Sequence, residues 1–335
     1  MPPLTDAPPA GSLTETLANL PVLWILALVA GLTVLRLLLV RLPSPAARSV
    51  VEMSETALVA VTLVFLLIRP FFMQAFYIPS ASMEETLQGN SRIKDRILVN
   101  KFQYRLHPPQ RDEVVVFLAP PAAMAGDPPF VKRLIGLPGD RLETVSGFVL
   151  VDGKQYGHAD VRAALGAAGE FGPSAKADGF VDQADHHVKF VTNGVLADKR
   201  LVGTERLAQI LTEMPHAQVT VSPGYNIRNG KKLAEPFIAE DPDYDMKIYH
   251  GEPVKHEHDP SQPAYKWNGM PIPVPEFAKE FALPTEPLPA GHYLMMGDNR
   301  NDSNDGTNWG PLEAWRVVGP ARVVFWPPAD MGIVH

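Results

Sequence analysis

Phe130-Val131-Lys132-Arg133-Leu134-Ile135, closed by Gly136-Leu137-Pro138-Gly139-Asp140, decides how this chain folds. A short apolar run ended by glycine and proline reads as a β-strand. Alternate side chains of a strand share a face, so Lys132 keeps company with Phe130 and Leu134 while Arg133 points the other way. Working outward, Ile97 to Val99, Val114 to Phe117, Phe148 to Val151, His292 to Met296 and Arg322 to Trp326 are further strand-like runs bounded by turn residues. Asp152-Gly153 after the third of these predicts a hairpin. The 34 prolines favour irregular chain and β-edges over a helical bundle. The expected fold is a mostly β domain.

Between these runs, Tyr156 to Thr285 has many charges, scattered prolines and weak periodicity, and reads as an inserted subdomain. Short helices are expected at Ala163 to Ala168 and Glu205 to Leu211. No internal repeat is evident. With 335 residues the chain can build one or two domains with a core. Its net charge of -7 and scattered basic residues give no footprint for nucleic acid. The absence of cysteine removes disulfides, thiol catalysis and thiolate metal sites.

The N-terminal part is different in kind. Leu20 to Val40 is apolar apart from small residues, Pro21 and Arg36, and meets the span length of about 20 residues. Ala57 to Ile68 continues through Arg69-Pro70 to Phe76, and reaches span length if the arginine snorkels at the membrane face. A buried core helix is the alternative for each. The tail before Leu20 holds Asp6 and Glu15 and no Lys or Arg, unlike the basic start of a cleaved signal peptide. Arg36, Arg41 and Arg48 put the connecting loop in the cytoplasm, with Arg69 pulling mildly the other way. The expected organisation is an exported tail (1–19), two transmembrane helices (20–40 and 56–77) around a cytoplasmic loop (41–55), an exported β core in two parts (78–155 and 286–335) and the insertion (156–285).

Pro79-Ser80-Ala81-Ser82-Met83 stands at the exit of the second apolar stretch. A serine hydroxyl needs a base before it is a good nucleophile. Lysine can be that base if burial lowers its pKa from about 10.4, by as much as ~3–5 pH units when complete. Lys132 fits that need on its apolar face; the alternative is a surface strand with a solvated Lys-Arg pair. Arg133 cannot serve, because guanidinium does not deprotonate in proteins.

Four segments in order carry a resemblance: Ser80-Ala81-Ser82-Met83-Glu84-Glu85-Thr86-Leu87, Lys101-Phe102, Val131 to Asp140, and Gly297-Asp298-Asn299-Arg300. Together, behind the two apolar stretches, they resemble bacterial type I signal peptidase from about Ala57 to Trp309, most of the insertion excepted. The resemblance implies a membrane-bound serine endopeptidase that removes signal peptides from exported preproteins, cutting after small residues at -1 and -3. It implies Ser82 as nucleophile, Lys132 as general base and then acid, and Ser80 beside the Ser82 N–H in the oxyanion hole. Ser303 would hydrogen-bond the lysine, and Asp305 would hold the loop that carries Ser303. No cofactor or metal is implied. The implied partners are signal peptides and membrane lipid, and the implied place is the bacterial inner membrane, multi-pass, with the catalytic part on the periplasmic side.

The chain also departs from the family pattern. Thr307 stands where an arginine is usual two residues after the aspartate, Ala81 replaces a glycine, Glu85 replaces a proline, and Asn301-Asp302-Ser303 permutes the familiar turn. Phe76, Ile78, Met83, Leu87 and Val131 could line shallow apolar pockets for alanine-like side chains, or simply pack the core. Ser91-Arg92-Ile93-Lys94 has the serine–lysine spacing of penicillin-binding enzymes without their Lys-Thr-Gly partner. His186-His187 and His256-Glu257-His258 lack zinc-site spacing and read as solvated loop histidines, and the acidic stretch near Glu240 reads as a solvated face. A catalytically dead, signal-peptide-binding relative and a self-cleaving repressor are the competing functions.

Overall fold

A computed structural model describes residues 22–41, 44–64, 73–89, 94–171, 186–214, 216–257, 265–267, 270–271 and 282–335. It begins with a helical hairpin. Helix α1 (Val22–Leu39) packs along α2 (Pro45–Val61), and Arg36 Nε meets Glu55 Oε1 at 2.7 Å between them. Pro45 sits in the first turn of α2, where its missing N–H costs no helical bond. That start removes most of the expected loop at 41–55. Nor is 56–77 a single helix: α2 ends at Val61, and Met73–Tyr77 form a strand. Among the described residues no helix is long and apolar enough to cross a membrane. Arg69 and its neighbours lie outside the described residues.

The β region starts with β1 (Met73–Tyr77), β2 (Arg96–Asn100), β3 (Val114–Leu118) and β4 (Pro129–Gly136), with the short helix α3 (Gln103–Leu106) after β2. A long excursion follows. It contains β5 (Leu142–Val145), β6 (Phe148–Val151), β7 (Lys154–Tyr156), α4 (His158–Ala167), β8 (Val188–Val191), β9 (Gly194–Ala197), β10 (Arg200–Gly203) and α5 (Thr204–Thr212). It continues with β11 (Val219–Ser222), β12 (Tyr225–Arg228), β13 (Lys231–Lys232), β14 (Tyr244–Tyr249), β15 (Glu252–Glu257), β16 (Tyr265–Trp267) and β17 (Met270–Pro271). The chain returns through β18 (His292–Met296), α6 (Gly306–Trp309), β19 (Leu312–Glu313), β20 (Val317–Trp326) and β21 (Gly332–Ile333).

The first and last groups of strands interleave in one eight-stranded sheet, ordered β1-β2-β20-β3-β4-β18-β19, with β21 beside β20. The ladders between these strands are antiparallel. The run Val114-Val115-Val116-Phe117 is buried on both faces, as its unbroken apolar character predicts for a central strand. Ile78, Met83, Leu87, Ile97, Val99 and Val116 pack one core; Phe117, Leu134, Met295, Trp309 and Leu312 pack a second with Val115. Pro320 lies in β20 next to a register shift, where a missing N–H is tolerated.

The excursion builds a seven-stranded sheet, β13-β12-β5-β14-β15-β16-β17, and two three-stranded sheets, β10-β9-β8 and β11-β6-β7. The change of sheet falls at Leu142, ahead of the expected boundary at 156, because β5 pairs with β12 and β14. In the predicted hairpin, Asp152 and Gly153 both have positive φ (48° and 82°), the backbone that a two-residue turn requires.

Candidate active site

Ser82 sits in a single 3-10 turn, Ala81–Met83, that follows extended Ser80. The turn is anchored from below: Met83 and Leu87 are fully buried, and Ile78 nearly so. Gly89 allows the chain to close back on Ser80, since a Cβ there would overlap the Ser80 main chain. Lys132 projects from β4 opposite Val115 of β3. Both Ser82 and Lys132 are buried, and Lys132 Nζ is hydrogen-bonded to Ser82 Oγ. Ser80 Oγ lies 3.2 Å from Ser82 Oγ. Burial pulls the lysine pKa down to about 8, against the opposing pull of the Asp305, Asp298 and Asp302 carboxylates. An amine whose pKa lies this close to neutrality is readily freed of its charge, and the neutral form can take a proton from the serine hydroxyl it touches.

Arg133 is buried too, so the solvated Lys-Arg surface pair is not what forms. Its guanidinium meets Asp298 through Nε (2.8 Å) and Nη2 (2.6 Å), donates to the main-chain oxygens of Asp112 (2.7 Å) and His335 (2.9 Å), and lies over Phe237. Thr86 Oγ1 donates to the same carboxylate at 2.5 Å. One strand therefore presents its lysine to the serine turn and its arginine to Gly297-Asp298-Asn299-Arg300. That loop in turn holds the serine turn, with Asn299 N–H donating to Ser82 O (3.2 Å). Arg300 is tied to Glu235 (2.6 and 3.1 Å).

Asp305 caps α6 and is completely buried. Its carboxylate accepts from Gly297 N–H (2.8 Å), Thr307 N–H (2.9 Å) and the Thr307 hydroxyl (2.8 Å). Thr307 thus supplies two neutral donors where an arginine would supply an ion pair. The expected hydrogen bond from Ser303 to Lys132 is absent: Ser303 Oγ is buried with no partner, close to the Cα of Gly297. Ser303 is instead held through its carbonyl, which accepts from Asn308 Nδ2 at 3.0 Å.

Of the proposed pocket residues, Ile78, Met83 and Leu87 are buried core, with Phe76 and Val131 partly buried against them. Packing under the serine turn takes up the first three. In the insertion, His186 is buried, stacked on Phe171 and bonded to Asp198 at 2.6 Å; His187 lies between Glu84 and Glu240. These are not solvated histidines, and Glu240 and Asp241 are not a solvated face, being 2% and 1% exposed. His158 stacks on Phe190 and meets Asp241 at 3.0 Å. Half-buried His256 lies 3.8 Å from Asp245, while His258 lies outside the described residues. No cluster of three metal-ligating side chains occurs among the described residues. Ser91 lies outside them, and Lys94 donates to the Pro79 carbonyl at 3.1 Å.

A β domain with a buried amine on a serine hydroxyl is the architecture of a hydrolytic enzyme. Residues 50–205 and 213–326 match the family described as signal peptidase, peptidase S26. The chain is 42% identical over 293 residues to the probable signal peptidase I-2 of Synechocystis, covering 87% of this chain and 80% of that one. It is 27% identical to the signal peptidase I of Mycobacterium tuberculosis over 88% of this chain and 78% of that one, and 26% identical to that of Pseudomonas aeruginosa over 82% and 76%. The chain belongs to the signal peptidase family, peptidase S26, and is an enzyme of that family.

Proposed function

We propose that this protein is a membrane-anchored signal peptidase I that cleaves exported preproteins with a Ser82–Lys132 dyad. The observation that carries this reading is the contact of a buried Lys132 amine with Ser82 Oγ. Neutral Lys132 takes the Ser82 proton as Oγ attacks the scissile carbonyl. With a pKa of about 8, neutralising the amine at pH 7 costs about 1.4 kcal/mol; an unperturbed lysine would cost about 5 kcal/mol. The Ser82 N–H and the Ser80 hydroxyl receive the oxyanion, each such donor being worth ~2.7–4 kcal/mol of barrier. The lysine then gives its proton to the leaving amine. In the second half it deprotonates the water that opens the serine ester.

Strand β1 is the terminal strand of the sheet, paired through one edge with β2. An extended signal peptide adds along its other edge, with main-chain hydrogen bonds supplying affinity. Phe76 and Val131, partly buried against Ile78, Met83 and Leu87, are the apolar surface nearest the serine turn, against which small side chains at -1 and -3 would pack. Asp305, holding the Gly297 main chain, positions the loop that carries Ser303. Trp24, Leu26, Leu28, Val34, Leu37 and Leu38 of the hairpin are exposed apolar side chains, which supports lipid as their surroundings. The apolar sequence around the helices, Leu20 to Val40 and Ala57 to Ile68, supports a multi-pass anchor in the bacterial inner membrane. Arg36, Arg41 and Arg48 support a cytoplasmic connection and a periplasmic catalytic domain.

The test is cleavage of a preprotein by the full chain in detergent. Ser82→Ala and Lys132→Ala are each expected to abolish cleavage while leaving the protein in the membrane fraction. Normal cleavage by Lys132→Ala would remove the lysine from the mechanism.

A further inference from the structure

Glu84, two residues beyond Ser82, faces the inserted subdomain. Its Oε2 lies 3.7 Å from His187 Nε2, and the other imidazole nitrogen, Nδ1, lies 3.6 Å from Glu240 Oε1. Glu240 is buried and collects further partners: Arg162 Nη2 of α4 (2.8 and 3.0 Å), Val188 N–H (2.6 Å) and Asn301 Nδ2 (3.0 Å). Asn301 also takes Asp243 N–H on its Oδ1 (3.1 Å), and it belongs to the loop whose Asn299 N–H donates to Ser82 O. The same carboxylate therefore reaches the serine turn along two routes. One runs through His187 to Glu84, the other through Asn301 to the carbonyl of Ser82.

We propose that His187 and Glu240 of the inserted subdomain are positioning residues that fix the angle of the Ser82 turn by holding Glu84. This rests on the Ser82–Lys132 reading and assigns the insertion a part in the same reaction. An imidazolium between two carboxylates is attracted to both, and its charge is what joins them. Contact with Glu240 and Glu84 holds His187 charged, pushed up to about 10, against the effect of burial. Burial opposes ionisation of Glu240, but His187 and Arg162 outweigh it and lower the carboxyl to about 2. Other groups facing this pair include Asp198, which accepts from the His187 main-chain N–H at 3.0 Å, neighbouring His186, and, on the Glu240 side, His158 and Asp243. Lys199 reaches Glu85 at 3.0 Å on the exposed side, a second contact between the insertion and the segment after Ser82.

The experiment measures kcat and KM of the full-length protein in detergent for Glu84→Gln, His187→Gln and the double variant, on a peptide spanning a signal-peptide cleavage site. Displacing reacting groups by about 1 Å costs on the order of 10²-fold, so kcat should fall about 10–100-fold with KM within about twofold. The double variant should be no worse than the poorer single one, the signature of two residues acting as a unit. His187→Lys keeps a cation between the carboxylates and should restore most of kcat. Arg200→Gln, at an exposed ion pair elsewhere in the insertion, should match wild type. Unchanged kcat in Glu84→Gln, or losses that multiply in the double variant, overturns the proposal. If His187→Gln does not fold, Glu84→Gln and His187→Lys decide alone. Absence of any Ser82-dependent cleavage by the unaltered protein overturns the functional reading and this role with it, whereas Ser82-dependent cleavage with multiplied losses overturns only this role.

Discussion

Lys132 is held in a state that folding would not choose for its own sake. The buried ammonium is disfavoured relative to the unfolded chain, so the unfolded state binds more protons between pH 8 and 10.5, and stability rises with pH across that window. At neutral pH the cost is about 3 kcal/mol. Lys132→Met should therefore raise the urea midpoint while abolishing cleavage. If Lys132 is the base, as proposed, kcat/KM is expected to climb about tenfold per pH unit below pH 8 and to level above it, in a profile of initial rates. Asp305 makes a different point. Its partners are neutral, so Thr307→Val, which keeps the N–H and drops the hydroxyl donor, should cost about 1–3 kcal/mol by denaturant unfolding. At this scale much was legible: alternation along 130–135 set Lys132 and Arg133 on opposite faces. The fate of Arg133 was not, because its partner Asp298 lies 165 residues away and no local pattern announces the pairing.

At the scale of elements, β4 and the loop at 297–301 form a single unit through Arg133 and Asp298. Breaking one member of a buried ion pair strands the other without a partner, at about 3–5 kcal/mol. Asp298→Asn should lower the thermal midpoint accordingly and loosen the Asn299 contact to Ser82 O. Gly297 is needed for room: a Cβ there would lie 2.7 Å from Ser303 Cβ and closer still to the Ser82 carbonyl. Gly297→Ala is expected to lose most activity while retaining its fold, readable by circular dichroism alongside the cleavage assay. The strands were mostly legible from β-branched runs and turn residues. Met73–Tyr77 was not, since a short apolar run is equally good helix or strand until its partner is known, and Arg96–Asn100 is that partner. The histidines of the insertion misled for a related reason. Burial of a polar side chain is decided by partners that tertiary structure brings, here Glu240 for His187 and Asp198 for His186.

Across the whole molecule, the catalytic sheet is stitched from both halves of the chain. Strand β20 lies between β2 and β3, and β18 lies against β4, so the sheet is incomplete until residues beyond 292 have joined it. Such non-local pairing makes for slow assembly. On the proposed dyad, the reacting groups are encoded early and the protease carries a built-in delay. While the ribosome is still making the insertion, Ser82 and Lys132 exist, but Asn299 is not there to grip the serine, nor Asp298 to seat the neighbouring arginine. Chains stalled during translation before Leu294 are accordingly expected to be inert in a pulse-chase cleavage assay, the newborn enzyme staying silent until its last segment has arrived.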